Sequence, residues 1–378
     1  MGLFVAVVPV LVTLLLLAFS RISAAIPPLL GTVSAAIIAL WYFDTPVENL
    51  VAAWNDTFWT LIKVLAIIGG GVLLSGVMDR TGAQRRLAGW LSAGGPGVAS
   101  ALLMAHGVVP FLETVTGFGV SVLIGLPLLL SFGFTPYRAA LLTLLGLMIG
   151  PWGSMGPGTL IAADAAGAPL TDMGLVSGWM NLIPFVVSGI AVAIIAGNGY
   201  TATNIPGRRK VFWAAVGAGS GVVLWGFTMT ANLLLGTPVA GAVATLIMAV
   251  LWLILIRRGR LTPGPGRSLV PYLVLLVGTI IGQILYRSID LGVLGEIISS
   301  PALWSTTAAL TALTFMNMQP GDAQALPKAT LQMWWAVAIP TALYVLLGVM
   351  MAGGGLADQI AGSLAALGSV YLFLMPFV

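Results

Sequence analysis

Long apolar runs recur from one end of this chain to the other, and few folds can hold them. "LFVAVVPVLVTLLLLAF" at residues 3–19 is typical. Such runs are long enough to cross a hydrocarbon core of roughly 30 Å. Inside that core no water satisfies backbone amides and carbonyls, so the segments must be helices unless they line a cavity. Barrel strands would instead show about 10 residues of alternating polarity, a period absent here. Composition agrees: 59% of residues are hydrophobic and 7% charged, against about 25% charged in water-soluble chains. The expected fold class is an all-α polytopic membrane protein.

Several chemistries drop out at once. The chain has no cysteine, which removes disulfides and thiolate metal sites, and its single histidine cannot build a zinc cluster. No metal and no cofactor is expected. The N-terminus has no basic leader or small-residue cleavage site and reads as a first span. "MG" at the start is a poor myristoylation match. The isoelectric point near 9.6 comes from short basic loops between spans, the ordinary mark of membrane topology, and implies no nucleic-acid partner.

Those loops set an orientation. Arg80, Arg85 and Arg86 follow the third span; Arg208, Arg209 and Lys210, then Arg257, Arg258, Arg260 and Arg267, follow later ones. With basic loops cytoplasmic, the N-terminus lies outside, as do the acidic loop of Asp44, Glu48 and Asp56 and later Asp164, Asp172, Asp290 and Glu296. The expected location is a bacterial-type cytoplasmic (inner) membrane. Expected spans are 3–20, 22–43, 58–78, 174–196, 211–230, 238–256, 268–286, 295–316 and 329–350. Lys63, a few residues inside its span, reads as a snorkelling side chain.

Between 87 and 172 the pattern fails. Segments 87–112 and 120–132 flank "FLETVTGFGVSV", and 138–149 and 159–171 flank "GPWGSMGPGT". Arg85 and Arg86 precede the first pair and Arg138 follows it. If both ends are cytoplasmic, the segment enters and returns on one side as a re-entrant hairpin, with Glu113 to Gly119 near its tip. Gly117 and Gly119 permit the backbone angles a sharp reversal needs. Residues 150–158, rich in glycine and proline, predict an unwound break in a helix. A hairpin tip meeting a broken helix at mid-membrane is how secondary transporters build sites, with helix N-termini turned to an anion.

Each residue also has a plainer reading. Gly-Phe-Gly serves equally well as helix packing, since small residues line membrane helix contacts. A carboxyl at the bilayer centre is costly and points to function, although Glu113 can also be a neutral, hydrogen-bonded structural acid. His106 lies seven positions before Glu113, on the same face of an unbroken helix at roughly 10 Å, unless Pro110 spoils the register. A structural or interfacial histidine is its plainer reading and a proton relay its sharper one. The expected substrate contacts are Thr114, Thr116, Gly117, Phe118, Gly119, Gly153, Ser154 and Gly156; the expected proton-coupling residues are Glu113 and His106.

A weak repeat runs through the chain. "VLLSGVM" at 72–78 returns as "VLLGVM" at 345–350, and each is followed by a glycine-bearing turn, a short helix and an apolar approach to Pro-Phe. Opposite directions of approach through the membrane fit an inverted-topology repeat. The second copy reaches Phe377 without a counterpart of Glu113, which predicts an incomplete repeat whose remainder a missing segment or separate chain supplies. The expected organisation is 1–86, scaffold helices of repeat 1; 87–172, a transport core; 173–267, connecting and scaffold helices; and 268–378, the start of repeat 2.

"FLETVTGFGVSV" resembles the hairpin signature of the lactate permease family, and "GPWGSMGPGT" is similar to the glycine–serine loop that follows it there. Thr-Val-Thr before Gly-Phe-Gly and Ser121 in place of a proline depart from that pattern. The resemblance implies proton-coupled symport of lactate, glycolate or a related 2-hydroxy monocarboxylate, and a homodimer with a static scaffold and a moving transport domain. On this reading the partners are a small carboxylate anion, protons and membrane lipid, and the chain is no enzyme. Alternatives are a sodium-coupled anion or dicarboxylate carrier, a channel gated at Gly-Phe-Gly, and an intramembrane enzyme using Glu113 with His106.

Overall fold

The computed structural model describes residues 2–18, 22–91, 97–117, 120–197, 207–257 and 266–366. Every regular element among them is helical: α1 (Gly2–Leu17), α2 (Ile26–Trp41), α3 (Val47–Arg80), α4 (Ala83–Leu91), α5 (Val98–Leu103), a π turn (Met104–Val108), α6 (Val109–Thr116), α7 (Val120–Ser131), α8 (Pro136–Leu145), a 3₁₀ stretch (Gly146–Met155), α9 (Pro157–Ala165), α10 (Leu170–Gly197), α11 (Gly207–Leu235), α12 (Thr237–Ile256), a 3₁₀ turn (Gly266–Leu269), α13 (Val270–Ser288), α14 (Gly292–Ser299), α15 (Pro301–Phe315), α16 (Pro320–Gly353) and α17 (Leu356–Ala365). Among the described residues seven helices are long and apolar enough to cross a membrane, and one further pair is bent by 68° at a break. The protein is an all-α polytopic membrane protein.

The chain divides into two compact units. In the unit Met1–Leu65 with Met333–Val378, Ala6, Ala35, Ala39, Leu50, Leu347 and Leu356 form a small core. Its helices approach closely through small residues: a Cβ added at Gly31 would run into the Thr13 hydroxyl, which donates to Pro9 O at 2.8 Å. The Thr45 hydroxyl donates to Gly354 O at 3.0 Å and the Trp334 indole to Leu65 O at 3.0 Å.

The unit Ala66–Gln332 holds the larger core, centred on Val98–Thr116. α10 and α11 meet with almost no gap, since a Cβ at Gly189 would strike the Gly217 backbone and one at Gly221 the Phe185 backbone. Small residues let membrane helices gain dispersion contact where lipid supplies no hydrophobic drive.

Several expected boundaries are corrected. Glu48 and Asp56 lie within α3, so the acidic stretch is largely helix. Segment 295–316 is two helices, because Ser300 precedes Pro301 and takes an extended conformation (φ −72°, ψ 127°), as the pre-proline clash requires. α1 and α2 have 16 residues each, giving about 24 Å of axial rise, shorter than spans 3–20 and 22–43 predicted.

The repeated "VLL" segments close two helices of 34 residues each, α3 and α16. Each is followed by a left-handed glycine, Gly82 at φ 68° and Gly355 at φ 75°, and then by a short helix, α4 or α17. Residues 376–377, where the second apolar approach was expected to end, lie outside the described residues.

Candidate functional site

Pro110 decides the geometry of the first arm. It has no N–H to give to the carbonyl of His106, and its ring crowds that carbonyl. The preceding turn widens instead into a π turn, with Val109 N–H donating to Met104 O. Such single π turns recur at functional sites. Pro110 thereby changes the register between His106 and Glu113, the alternative that the sequence left open, and the two side chains find different neighbours.

His106 is fully buried. Its Nδ1 lies 2.8 Å from Ser220 Oγ and its Nε2 3.4 Å from Ser188 Oγ, while the Trp252 indole donates to the same Ser220 Oγ at 3.2 Å. A Cβ at Gly189 would sit 3.0 Å from the imidazole Cε1, so the ring occupies a slot between α10, α11 and α12 that the glycine makes possible.

Glu113 belongs to the other side of the arm. The Ser121 hydroxyl donates to Glu113 Oε2 at 2.6 Å, and the carboxyl is partly exposed. Positions 113 and 121 are symmetric about 117. So are 109 and 125, where a Cβ at Gly125 would lie 2.6 Å from Val109 Cγ2. Two symmetric pairings mean that α6 and α7 pack antiparallel, as a helical hairpin. Gly117 caps α6 with φ 68° and donates its N–H to Glu113 O at 2.8 Å. A side chain would resist that left-handed conformation. Phe118 and Gly119 lie outside the described residues.

The second interruption begins earlier than residues 150–158. α8 gives way to a 3₁₀ stretch at Gly146, and regular geometry is lost at Gly153 and Ser154. Ser154, Met155 and Gly156 then take positive φ in succession, at 51°, 65° and 82°. For the two non-glycine residues this costs about 1–3 kcal/mol each, held by the surroundings. Thr159 donates to Pro151 O across the break. The buried Trp152 indole donates to Asn232 Oδ1 at 3.4 Å, and Asn232 Nδ2 donates to Thr171 O at 3.0 Å. A backbone that cannot be helical here is thus pinned to α10 and α11.

The tip and the break touch. A Cβ at Gly117 would run into the Ser154 side chain, so glycine is needed for this approach as well as for its turn. A Cβ at Gly150, Gly153 or Gly158 would meet nothing within 4 Å among the described residues, and Gly150 and Gly158 are exposed. α7 starts at residue 120 and α9 at 157, and helix N-termini carry unpaired N–H groups and a positive partial charge. Thr114 and Thr116 are fully buried and donate to their own helix, to Phe111 O at 2.8 Å and Leu112 O at 2.6 Å.

The hairpin and the bent, broken helix packed against its end define a class: polytopic helical membrane proteins with interrupted helices. The chain belongs to the L-lactate permease family, whose description matches residues 2–258. No curated protein and no solved structure matches it.

Sequence reasoning missed Ser121 as the partner of Glu113, noting it only as a departure from a pattern. The signal was its symmetry with position 113 about Gly117. It also missed Ser188, Ser220, Trp252 and Asn232, which lie 80 to 146 positions downstream of the residues they serve, His106 and Trp152.

Proposed function

We propose that this protein carries lactate, glycolate or a related small 2-hydroxy monocarboxylate across the cytoplasmic membrane together with protons. Membership of a family of lactate permeases supports the transport of a small anion. The observation that carries the finer reading is the contact of Gly117 with Ser154, which brings the end of one interrupted helix against another next to a carboxyl. On this reading the substrate carboxylate sits beside 117–119 and 153–156, met by backbone amides at the starts of α7 and α9 and by Ser154. Gly153 and Gly156 leave the backbone open to it, and Thr114 and Thr116 hold the shape of the tip.

Glu113 takes the proton. Its bond from Ser121 holds the carboxyl toward the hairpin, and protonation lets an anion approach without like-charge repulsion. His106, enclosed by Ser188 and Ser220, serves the same arm as a proton-holding or anchoring group. The membrane orientation puts the N-terminus outside, α3–α4 and α16–α17 are related as inverted repeats, and the protein works as a homodimer with 87–172 as its moving core.

The test is uptake of labelled lactate into vesicles of the purified protein. An inward proton gradient drives accumulation, and Glu113→Gln abolishes it while leaving the melting transition in place. Uptake by that variant with unchanged pH dependence rules out the coupling role. Accumulation driven by a sodium gradient alone selects a sodium-coupled carrier instead.

A further inference from the structure

A cavity of about 300 Å³ lies at the ends of several helices, lined by Thr81, Arg86, Arg267, Ser268, Phe315, Met316 and Asn317. Thr81 follows α3 and Arg86 sits on α4; Arg267 and Ser268 precede α13, and the other three lie at or just past the end of α15. Two of these helices belong to candidate spans, Val47–Arg80 and Gly266–Ser288. The cavity is therefore level with a membrane surface, the one that basic loops assign to the cytoplasm.

Its chemistry is one-sided. Arg86 and Arg267 come from segments far apart in sequence, and no carboxylate is among the lining residues. The Arg86 Nε donates to the buried Ser268 hydroxyl at 2.9 Å, which fixes one edge of the guanidinium at the cavity. A third guanidinium is near: Arg85 and Arg86 both reach within 4 Å of where a Gly82 Cβ would stand. Arg86 and Arg267, both exposed, make the cavity basic and attractive to an anion. The planar guanidinium fork matches phosphate and carboxylate oxygens in pairs. Phe315, 56% exposed at the rim, and Met316 add an apolar side that a small inorganic ion would not need. The volume is at the small end of the roughly 300–1,000 Å³ typical of ligand sites, right for a headgroup rather than a large cofactor. Basic pockets between membrane helices on the cytoplasmic side suit such groups.

We propose that the Arg86–Arg267 cavity binds a phosphate group, presented by an anionic phospholipid or by a soluble phosphate compound. It is independent of the transport site.

The test reads thermal melting of the purified full chain by intrinsic tryptophan fluorescence. One arm titrates inorganic phosphate in detergent against potassium chloride at equal ionic strength. The other compares nanodiscs of phosphatidylcholine with nanodiscs containing phosphatidylglycerol. The melting midpoint rises with phosphate or phosphatidylglycerol beyond chloride, and half-saturation weakens about tenfold or more in Arg86→Gln/Arg267→Gln, a loss of about 1.4 kcal/mol. A response to phosphatidylglycerol alone identifies a lipid headgroup, to phosphate alone a soluble compound, and to both the phosphate group itself. If the double variant does not melt cooperatively in phosphatidylcholine, Arg267→Gln alone is read for the same loss. Equal responses to phosphate and chloride without one to phosphatidylglycerol, or full responses in the variant read, overturn the proposal.

Discussion

Val98–Thr116 and Arg209–Leu235 have nearly the same hydropathy, 1.6 and 1.5, yet 89% of the first and 28% of the second is buried inside the protein. Lipid and protein interior are equally apolar, so hydropathy does not separate them. What separates them is what each helix offers its neighbours. The first carries Ser100, His106, Gly107, Thr114 and Thr116 in fully or nearly fully enclosed positions, and its glycine admits another backbone. The second leaves Val211, Val222, Val223, Leu233 and Leu234 exposed and meets α10 mainly along its glycines. The second keeps its fixed small and polar contacts, Gly217, Ser220, Gly221 and Asn232, to one face and is apolar over the rest, whereas the first is enclosed nearly all round.

Glycines provide the sharpest way to break that contrast. A Cβ at Gly107 would lie 2.7 Å from Ala249 Cα and 2.9 Å from its N, so backbone rather than a flexible side chain would have to move. Gly107→Leu is expected to destabilise by about 3 kcal/mol or more, seen as lost monodispersity in detergent or a collapsed melting transition. A wild-type melting midpoint would mean that this span is not packed as described.

A smaller loss is expected from His106→Leu. The change keeps bulk but takes the imidazole partner from the buried Ser188 and Ser220 hydroxyls, leaving Ser220 its bond from the Trp252 indole, at about 1–3 kcal/mol. Melting reports that cost, and proton-driven lactate uptake separates the two roles of the residue. Normal pH dependence in the folded variant removes His106 from the relay and leaves it an anchor.

The smallest effect is expected on the lipid-type helix. Gly219 has no atom within 4 Å of a prospective Cβ, so Gly219→Ala is neutral or stabilising by up to about 1 kcal/mol from helix propensity. Destabilisation by melting would show that this face of α11 is covered by protein.

Much of the site was readable before any coordinates. Gly117 and the glycines and prolines of 150–158 announce interruptions because they favour the helical state poorly, although at the break Ser154 and Met155 share the positive φ with Gly156. The unwinding starts earlier, at Gly146, because a 3₁₀ stretch can absorb part of the strain ahead of Pro151. The register between His106 and Glu113 could not be read, since a helix can meet a proline by kinking, ending or widening into a π turn. The split at Ser300 was readable in principle, from the proline after it, but the apolar run across it masked the signal.

Local chemistry, then, determined the solvent, the helical class and the places where helices must yield. Those follow from side-chain transfer energies and from backbone angles that single residues allow or forbid. Tertiary structure alone decided which apolar helix is enclosed, that His106 rests between Ser188 and Ser220, and that Gly117 meets Ser154. Such pairings depend on how separate helices dock, and docking is set by the summed fit of many distant side chains, which no short stretch of sequence contains.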